Sequence, residues 1–339
     1  LELNTMAKSL ADLLAEDVSG RYILVRSDLN VPLDGTIVTD DGRVKASLPV
    51  LTKLSKAGAK VIVMAHLGRP KGKVDPQFSI APAAKSLSEL ADFSVIAAKD
   101  VVGEDAQAKA EALQNGEVLV LENVRFDARE TSKDDAERGA FADELVKLTG
   151  KNGAYVDDAF GAVHRKHASV FDVAKRLPSY LGDLVKTEVD VLAKTLNDPE
   201  RPFVVIMGGA KVSDKLAVID NLIGKADSIL IGGGMGYTFA AAQGYKVGKS
   251  ILEADQIPTV QRYIEQAQAK GTELVTAIDV VCGDDFSNDA HFEIRPIEDI
   301  EGGELGAEAD GLDIGPKTRE LFAEKIKSAK TIFWNGPVG

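Results

Sequence analysis

Short apolar runs rich in β-branched residues alternate along the whole chain with stretches of helical periodicity. The runs at 21–26 (RYILVR), 60–65 (KVIVMA), 94–98, 117–121 (EVLVL), 154–157 (AYVD), 203–207 (FVVIM), 228–231 (SILI), 273–277 and 330–334 (KTIFW) predict strands. Several are apolar at consecutive positions, as strands covered on both faces must be. Helices are expected at 47–57, 80–92, 133–149, 185–196, 212–224, 235–243, 255–270 and 316–329. The alternation reads as α/β with largely parallel sheets. Pro178, Gly182, Pro199 and Pro202 punctuate one stretch, and the helical segment VKTEVDVLAKTL lies inside it. The expected organisation is a first sheet domain at 1–183, a connecting helix at 184–198 and a second sheet domain at 199–339.

Composition narrows the class of function. The 339 residues suit two domains. Lys+Arg number 40 against 53 Asp+Glu, a formal net charge of -13. A general nucleic-acid binder is not expected, because phosphate backbones need a basic surface. A local basic pocket for a small anion remains open. The single cysteine, Cys282, forbids an intrachain disulfide and fits a reducing, cytoplasmic setting. It reads as a small buried hydrophobe. No apolar run approaches the ~18 residues of a membrane span, and no secretory signal is visible in LELNTMAKSL. Residues 1–5, ahead of Met6, read as a cloning remnant.

The polar and glycine residues cluster just after the expected strands, where open α/β sheets bind ligands. In the first half these are Ser27, Asp28, Leu29 and Asn30, then His66, Gly68 and Arg69, then Asn123 and Arg125, then the run from Asp158 through His164 and Arg165 to His167. Arg43 stands in a loop-like stretch, DDGRVKA. Three of the four histidines and at least four arginines thus converge on one sheet edge of an acidic protein. A planar guanidinium fork suits carboxylate and phosphate, so a polyanion pocket is the expectation. The plainer readings are an Asx-turn at Asp28 and Asn30, and a metal pair at His164 and His167 that lacks a third ligand at useful spacing.

In the second half, strand 203–207 leads into Gly208, Gly209, Ala210, Lys211 and, four residues on from Lys211, Lys215. The two lysines are expected on one helix face. Strand 228–231 leads into Gly232, Gly233 and Gly234, and strand 330–334 into Asn335, Gly336 and Pro337. GLDIGP at 311–316 reads as a further glycine-rich turn. Bare backbone at a helix N-terminus favours phosphate, so a nucleotide or other phosphorylated ligand is expected. GxxxxGK[ST], GxSxG and HExxH are all absent from the sequence.

Taken together, VRSDLNVP (25–32), AHLGRPKG (65–72), LENVRF (121–126), DDAFGAVHRKH (157–167), GGAKVSDK (208–215), IGGGMGYTF (231–239), GLDIGP (311–316) and WNGPVG (334–339) strongly resemble phosphoglycerate kinases. The blocks occur in family order and span nearly the whole chain. The resemblance implies two Rossmann-like domains, the first for phosphoglycerate and the second for the nucleotide. It implies reversible phosphoryl transfer between 1,3-bisphosphoglycerate and ADP, giving 3-phosphoglycerate and ATP. By position, Asp28, Asn30, Arg43, His66, Arg69, Arg125 and Arg165 would hold the acid. Gly208, Gly209, Lys215, Gly232, Gly233, Gly311, Asn335 and Pro337 would form the nucleotide side. Arg43 and Lys211 would stabilise the phosphoryl group in flight. Mg2+ would arrive on the nucleotide, with no metal site of the protein's own, and a cytoplasmic monomer is expected.

One departure matters. The family pattern continues past WNGPVG with a VFE segment, a GGGD[ST] turn whose aspartate anchors the metal–nucleotide, and a final segment returning toward the first domain. This sequence stops at Gly339. Either the polypeptide continues, or a shortened form would bind nucleotide weakly and turn over little. Two other readings stay open: a nicotinamide-dependent oxidoreductase using GGGMG, with Asp255 as its ribose ligand, and an inactive anion-binding fragment.

Overall fold

The computed structural model describes residues 7–339, and the leading stretch read as a cloning remnant lies outside them. The chain divides into two compact units, one ending at Val191 and the other starting at Leu192.

The first unit contains α1 (Leu10–Leu14), β1 (Tyr22–Arg26), a small ribbon of β2 (Leu33–Asp34) and β3 (Ile37–Val38), α2 (Gly42–Lys56), β4 (Lys60–Met64), α3 (Ala81–Leu90), β5 (Val95–Ala97), α4 (Glu104–Ala112), β6 (Val118–Val120), α5 (Asp135–Lys147), β7 (Ala154–Asp157) and β8 (Ser179–Leu181). Six strands form one parallel sheet in the order β5-β6-β4-β1-β7-β8. Successive residues supply opposite faces. Ile23, Val25, Val61 and Val63 pack with Val50, Leu51 and Leu54 of α2 and Leu87 of α3. Leu24, Ile62 and Met64 pack with Ala106 and Ala110 of α4 and Phe141 and Leu145 of α5. Apolar residues are thus needed at every strand position, which explains the unbroken runs. The chain leaves β1 toward β4 but leaves β7 toward β8, so the winding direction reverses between β1 and β7. That reversal opens a crevice at the strands' carboxyl ends.

Two local expectations need correction here. Arg43 is not in a loop: α2 begins at Gly42, and Arg43 is in its first turn. Val44, Ser47, Val50, Leu51 and Leu54 give that helix one continuous buried stripe, which outweighs the turn-like DDG. α4 escapes the sequence pattern because its buried face consists of two alanines, Ala106 and Ala110.

α6 (Asp183–Asn197) runs across the division between the units. The second unit adds β9 (Phe203–Met207), α7 (Leu216–Leu222), β10 (Ser228–Ile231), α8 (Met235–Ala242), α9 (Ile257–Lys270), β11 (Glu273–Val275), β12 (Asp279–Gly283), β13 (Phe292–Pro296), β14 (Asp310–Ile314), α10 (Pro316–Ser328) and β15 (Thr331–Asn335). Four strands form a parallel sheet, β11-β10-β9-β15, and three form an antiparallel one, β13-β12-β14. Cys282 is fully buried in the antiparallel sheet. GLDIGP is therefore not a turn. Residues 311–314 are strand, paired to β12 across a bulge between Val281 and Cys282, and Gly311 backs onto the Tyr237 ring. The two lysines also fail to share a helix face. Lys215 is the N-cap of α7, and Lys211 precedes the helix altogether.

Candidate functional site

At the carboxyl edge of the six-stranded sheet lies a cavity of 630 Å³. Asp28, Asn30, Arg43, His66, Arg69, Arg125 and Arg165 all line it. They come from the segments following β1, β4, β6 and β7 and from the first turn of α2. Lys71, Thr131 and His167 also line it. Lys71 lies inside the GRPKG run, where its charge is visible in the sequence; Thr131 carries no sequence signal. His164 is exposed and outside the lining, so the three-histidine convergence reduces to two, and among the described residues no group of three or more His, Cys, Asp or Glu could hold a metal.

Hydrogen bonds between loops set this geometry. Asn30 N–H donates to Asp28 Oδ1 at 3.1 Å, the Asx-turn itself. Asn30 Oδ1 accepts from Gly68 N–H at 2.9 Å, joining the loops after β1 and β4. Arg125 Nη1 donates to the Gly68 carbonyl at 2.9 Å. Asn123 donates to the Leu67 carbonyl at 2.7 Å and the Phe78 carbonyl at 2.8 Å, and its Oδ1 accepts from Arg125 N–H at 3.0 Å. Gly68 has φ of +59°, and a Cβ there would stand 2.4 Å from the Phe78 ring. The turn therefore requires glycine.

The electrostatics are one-sided. Five cationic side chains line the cavity against one carboxylate, Asp28. Arg69, Lys71 and Arg165 make no side-chain hydrogen bond or ion pair with the described residues, so their donors are left for a ligand. Burial, with Arg26 nearby, lowers the Arg125 guanidinium from its ordinary value. The same two causes hold His66 down at about 2, and burial with Arg125 and Arg26 holds His167 at about 4. Both rings are neutral at physiological pH and act as hydrogen-bonding groups rather than charges. Such a surface recognises a small, highly charged anion through guanidinium forks.

In the second unit, the turns after β9, β10 and β15 come together. Gly208 N–H donates to the Asn335 carbonyl at 3.0 Å, and Gly233 N–H to the Val338 carbonyl at 2.7 Å. A Cβ on Gly208 would stand 1.7 Å from the Pro337 carbonyl oxygen. Gly232 and Gly233 likewise pack against Val338 and the Gly209 backbone. Lys215 Nζ bonds to Asn335 Oδ1. Lys211 is exposed, with no side-chain partner among the described residues. The turns bring Gly208, Gly209, Gly232, Gly233, Lys215, Asn335 and Pro337 into one cluster, whereas Gly311 stands in strand β14, against Tyr237.

The phosphoglycerate kinase family model matches residues 11–339. The chain belongs to the phosphoglycerate kinase family. It is 67% identical over 331 residues to the phosphoglycerate kinase of Paenarthrobacter aurescens, covering 98% of this chain and 81% of that one. The corresponding enzyme of Streptomyces coelicolor is 55% identical over 332 residues, covering 98% and 82%. Among solved structures, phosphoglycerate kinase from Coxiella burnetii matches with a TM-score of 0.78 at 32% identity, covering 98% of this chain and 81% of that chain. The Pyrococcus horikoshii kinase matches with a TM-score of 0.74 at 27% identity, covering 98% and 81%. The chain is accordingly a glycolytic phosphotransferase of the α/β class that acts between ATP and 3-phosphoglycerate. Nothing in these matches supports the nicotinamide-dependent reading, which falls.

Proposed function

We propose that the cavity in the first unit binds 3-phosphoglycerate or 1,3-bisphosphoglycerate, and that the clustered turns of the second unit bind ADP or ATP. One observation carries this reading: seven side chains scattered from position 28 to position 165 line a single cationic cavity in a protein of net charge -13. On this reading the acid domain is 1–183, the connecting helix 184–198 and the nucleotide domain 199–339.

Phosphoryl transfer requires alignment and charge neutralisation more than covalent help. Arg69, Arg125 and Arg165 supply fixed positive charge for the substrate's anionic groups, and Asn30 and His66 supply neutral hydrogen bonds. Arg43 is tethered to Asp28 through Nη1 alone. Its Nη2 and Nε stay available for the moving phosphoryl oxygens. Lys211, without a partner among the described residues and beside the glycine turn, neutralises charge from the nucleotide side. Lys215, Gly208, Gly209, Gly232, Gly233, Asn335 and Pro337 contact the nucleotide in this scheme, with Gly311 at the base-side strand. Mg2+ enters in this scheme as part of the Mg–nucleotide substrate, as its reluctance to shed water favours. Water exclusion protects the acyl phosphate, which calls for closure over the bound substrates. The enzyme works as a cytoplasmic monomer in this reading.

Calorimetric titration with 3-phosphoglycerate and then with Mg-ADP tests it. The expected result is saturable one-to-one binding of the acid that is lost in Arg69→Ala. Absence of acid binding by the unmodified protein would overturn the assignment of the cavity, and absence of Mg-ADP binding that of the turns.

A further inference from the structure

Behind the cavity lies a buried polar network that the proposed function leaves unused. Arg26 ends β1 and is fully buried. Its Nε donates to Ser169 Oγ at 2.9 Å, and its Nη1 to the Ser27 carbonyl at 2.8 Å. Its Nη2 lies 3.0 Å from His66 Nδ1. Ser169 in turn donates its hydroxyl to Glu130 Oε1 at 2.6 Å and its backbone N–H to Glu130 Oε2 at 2.9 Å. Ser169 and Glu130 are both completely buried. Ser169 is in a π-helical turn at Ala168–Asp172, a rare geometry that aims its amide and hydroxyl at one carboxyl group.

The chemistry of this chain of bonds is directional. A guanidinium has donors and no acceptor. In the Arg26–His66 contact, therefore, Nδ1 is the acceptor and carries no proton. A neutral His66 must then carry its single proton on Nε2. That nitrogen has no partner among the described residues and is not one of the buried orphan atoms, so it opens toward the cavity that His66 lines. We propose that Ser169 and Glu130 are positioning residues: by anchoring the Arg26 guanidinium, they lock His66 as the Nε2–H tautomer, which donates a hydrogen bond to substrate and cannot accept one. The idea deepens the reading of the cavity as the acid site and rests on it.

The reason for such a device is the surrounding charge. Among so many cations an imidazolium would be repelled, yet a neutral imidazole could present either a donor or an acceptor. Only the donor suits a carboxylate or phosphate oxygen. Glu130 reaches Arg26 only through Ser169, and its carboxyl, pushed up to about 7 by burial and drawn back by Arg26, stays out of the cavity, where a second carboxylate would repel the substrate.

The test uses 15N-labelled histidine and long-range 1H–15N correlation on the ligand-free protein. The expected result is one fixed neutral tautomer of His66, protonated at Nε2 from pH 5 to 8. In Ser169→Ala, the His66 signals should move to those of exchanging tautomers. The same variant should bind 3-phosphoglycerate roughly tenfold more weakly, the equivalent of one hydrogen bond misdirected. A wild-type ring protonated at Nδ1, or already exchanging, would overturn the proposal without any variant. So would a Ser169→Ala protein that keeps the wild-type tautomer. If the unmodified protein fails to bind 3-phosphoglycerate, the assignment of the cavity falls, and the tautomer measurement still decides whether this network sets the ring.

Discussion

Arg43 Nη1 donates to both carboxylate oxygens of Asp28, at 2.9 and 2.8 Å, so one face of the cavity is a cation held in place by the one carboxylate that lines it among the described residues. The pair joins the first turn of α2 to the loop after β1. Half of the Arg43 side chain remains exposed, at 52%.

An exposed ion pair contributes only about 0–1 kcal/mol to stability. Arg43→Ala should therefore leave the thermal midpoint nearly unchanged while lowering kcat by ~10²–10³-fold, the usual loss for one transition-state donor. A coupled assay of ATP formation beside a thermal melt checks both halves. Near-normal turnover would remove Arg43 from the catalytic role.

Gly68 combines a left-handed backbone with the Phe78 ring in its Cβ direction. Gly68→Ala should destabilise the first unit by about 1–3 kcal/mol and weaken 3-phosphoglycerate binding, since Asn30 and Arg125 both hold this turn. Urea unfolding and calorimetry give the two numbers, and an unaffected midpoint would contradict the packing argument.

Burial, aided by Asp183 and Asp157, pushes the Asp158 carboxyl up to about 7. Its Oδ1 accepts from Leu184 N–H at 2.9 Å, while Oδ2 is buried without a partner. A folded-state value above the unfolded one means that the stabilisation is complete below about pH 4 and is lost as pH rises through about 7. Asp158→Asn should then raise the thermal midpoint relative to wild type at pH 8 and leave it unchanged at pH 4. Equal differences at both pH values would exclude a titrating carboxyl as the cause.

Arg138 is 1% exposed and donates from Nε to Asp172 at 2.9 Å, tying α5 to the turn that carries Ser169. Asp172→Ala removes one of two carboxylate partners from the buried Arg138 guanidinium, which keeps Asp135 and the Ser132 carbonyl, and should cost about 1–3 kcal/mol. Replacing both residues with apolar side chains of similar volume should recover much of that loss in the same denaturant titration.

Gly208 meets the Pro337 carbonyl so closely that no Cβ fits. Gly208→Ala should force the turns after β9 and β15 apart and abolish Mg-ADP binding while leaving 3-phosphoglycerate binding intact. Undiminished nucleotide affinity would show that these turns do not form the proposed site.

The strands were legible because both faces of a parallel sheet demand apolar residues at every position, a local pattern that runs such as YILVR and FVVIM display openly. The loop chemistry was legible for a related reason. Asp28, Asn30, His66, Arg69, Arg125 and Arg165 each follow a recognisable strand, and such ends converge in an α/β sheet. The family motifs were readable as strings in order. The small and short elements were not. α4 buries only alanines, and β14 could pass for a turn because strand pairing with β12, not its own composition, makes GLDI extended. Arg43 belonged to a helix whose buried stripe becomes evident only against the sheet. Arg26 shows in the sequence only as the end of a strand run and as part of VRSDLNVP, and Glu130 and Ser169 carry no signal, because a buried charge is stable only beside partners that lie 39 to 143 positions away along the chain. Local sequence thus determined which elements form and which chemistry their ends carry. The tertiary structure alone decided which polar groups are desolvated together, because that energy depends on contacts the chain makes only after it has folded.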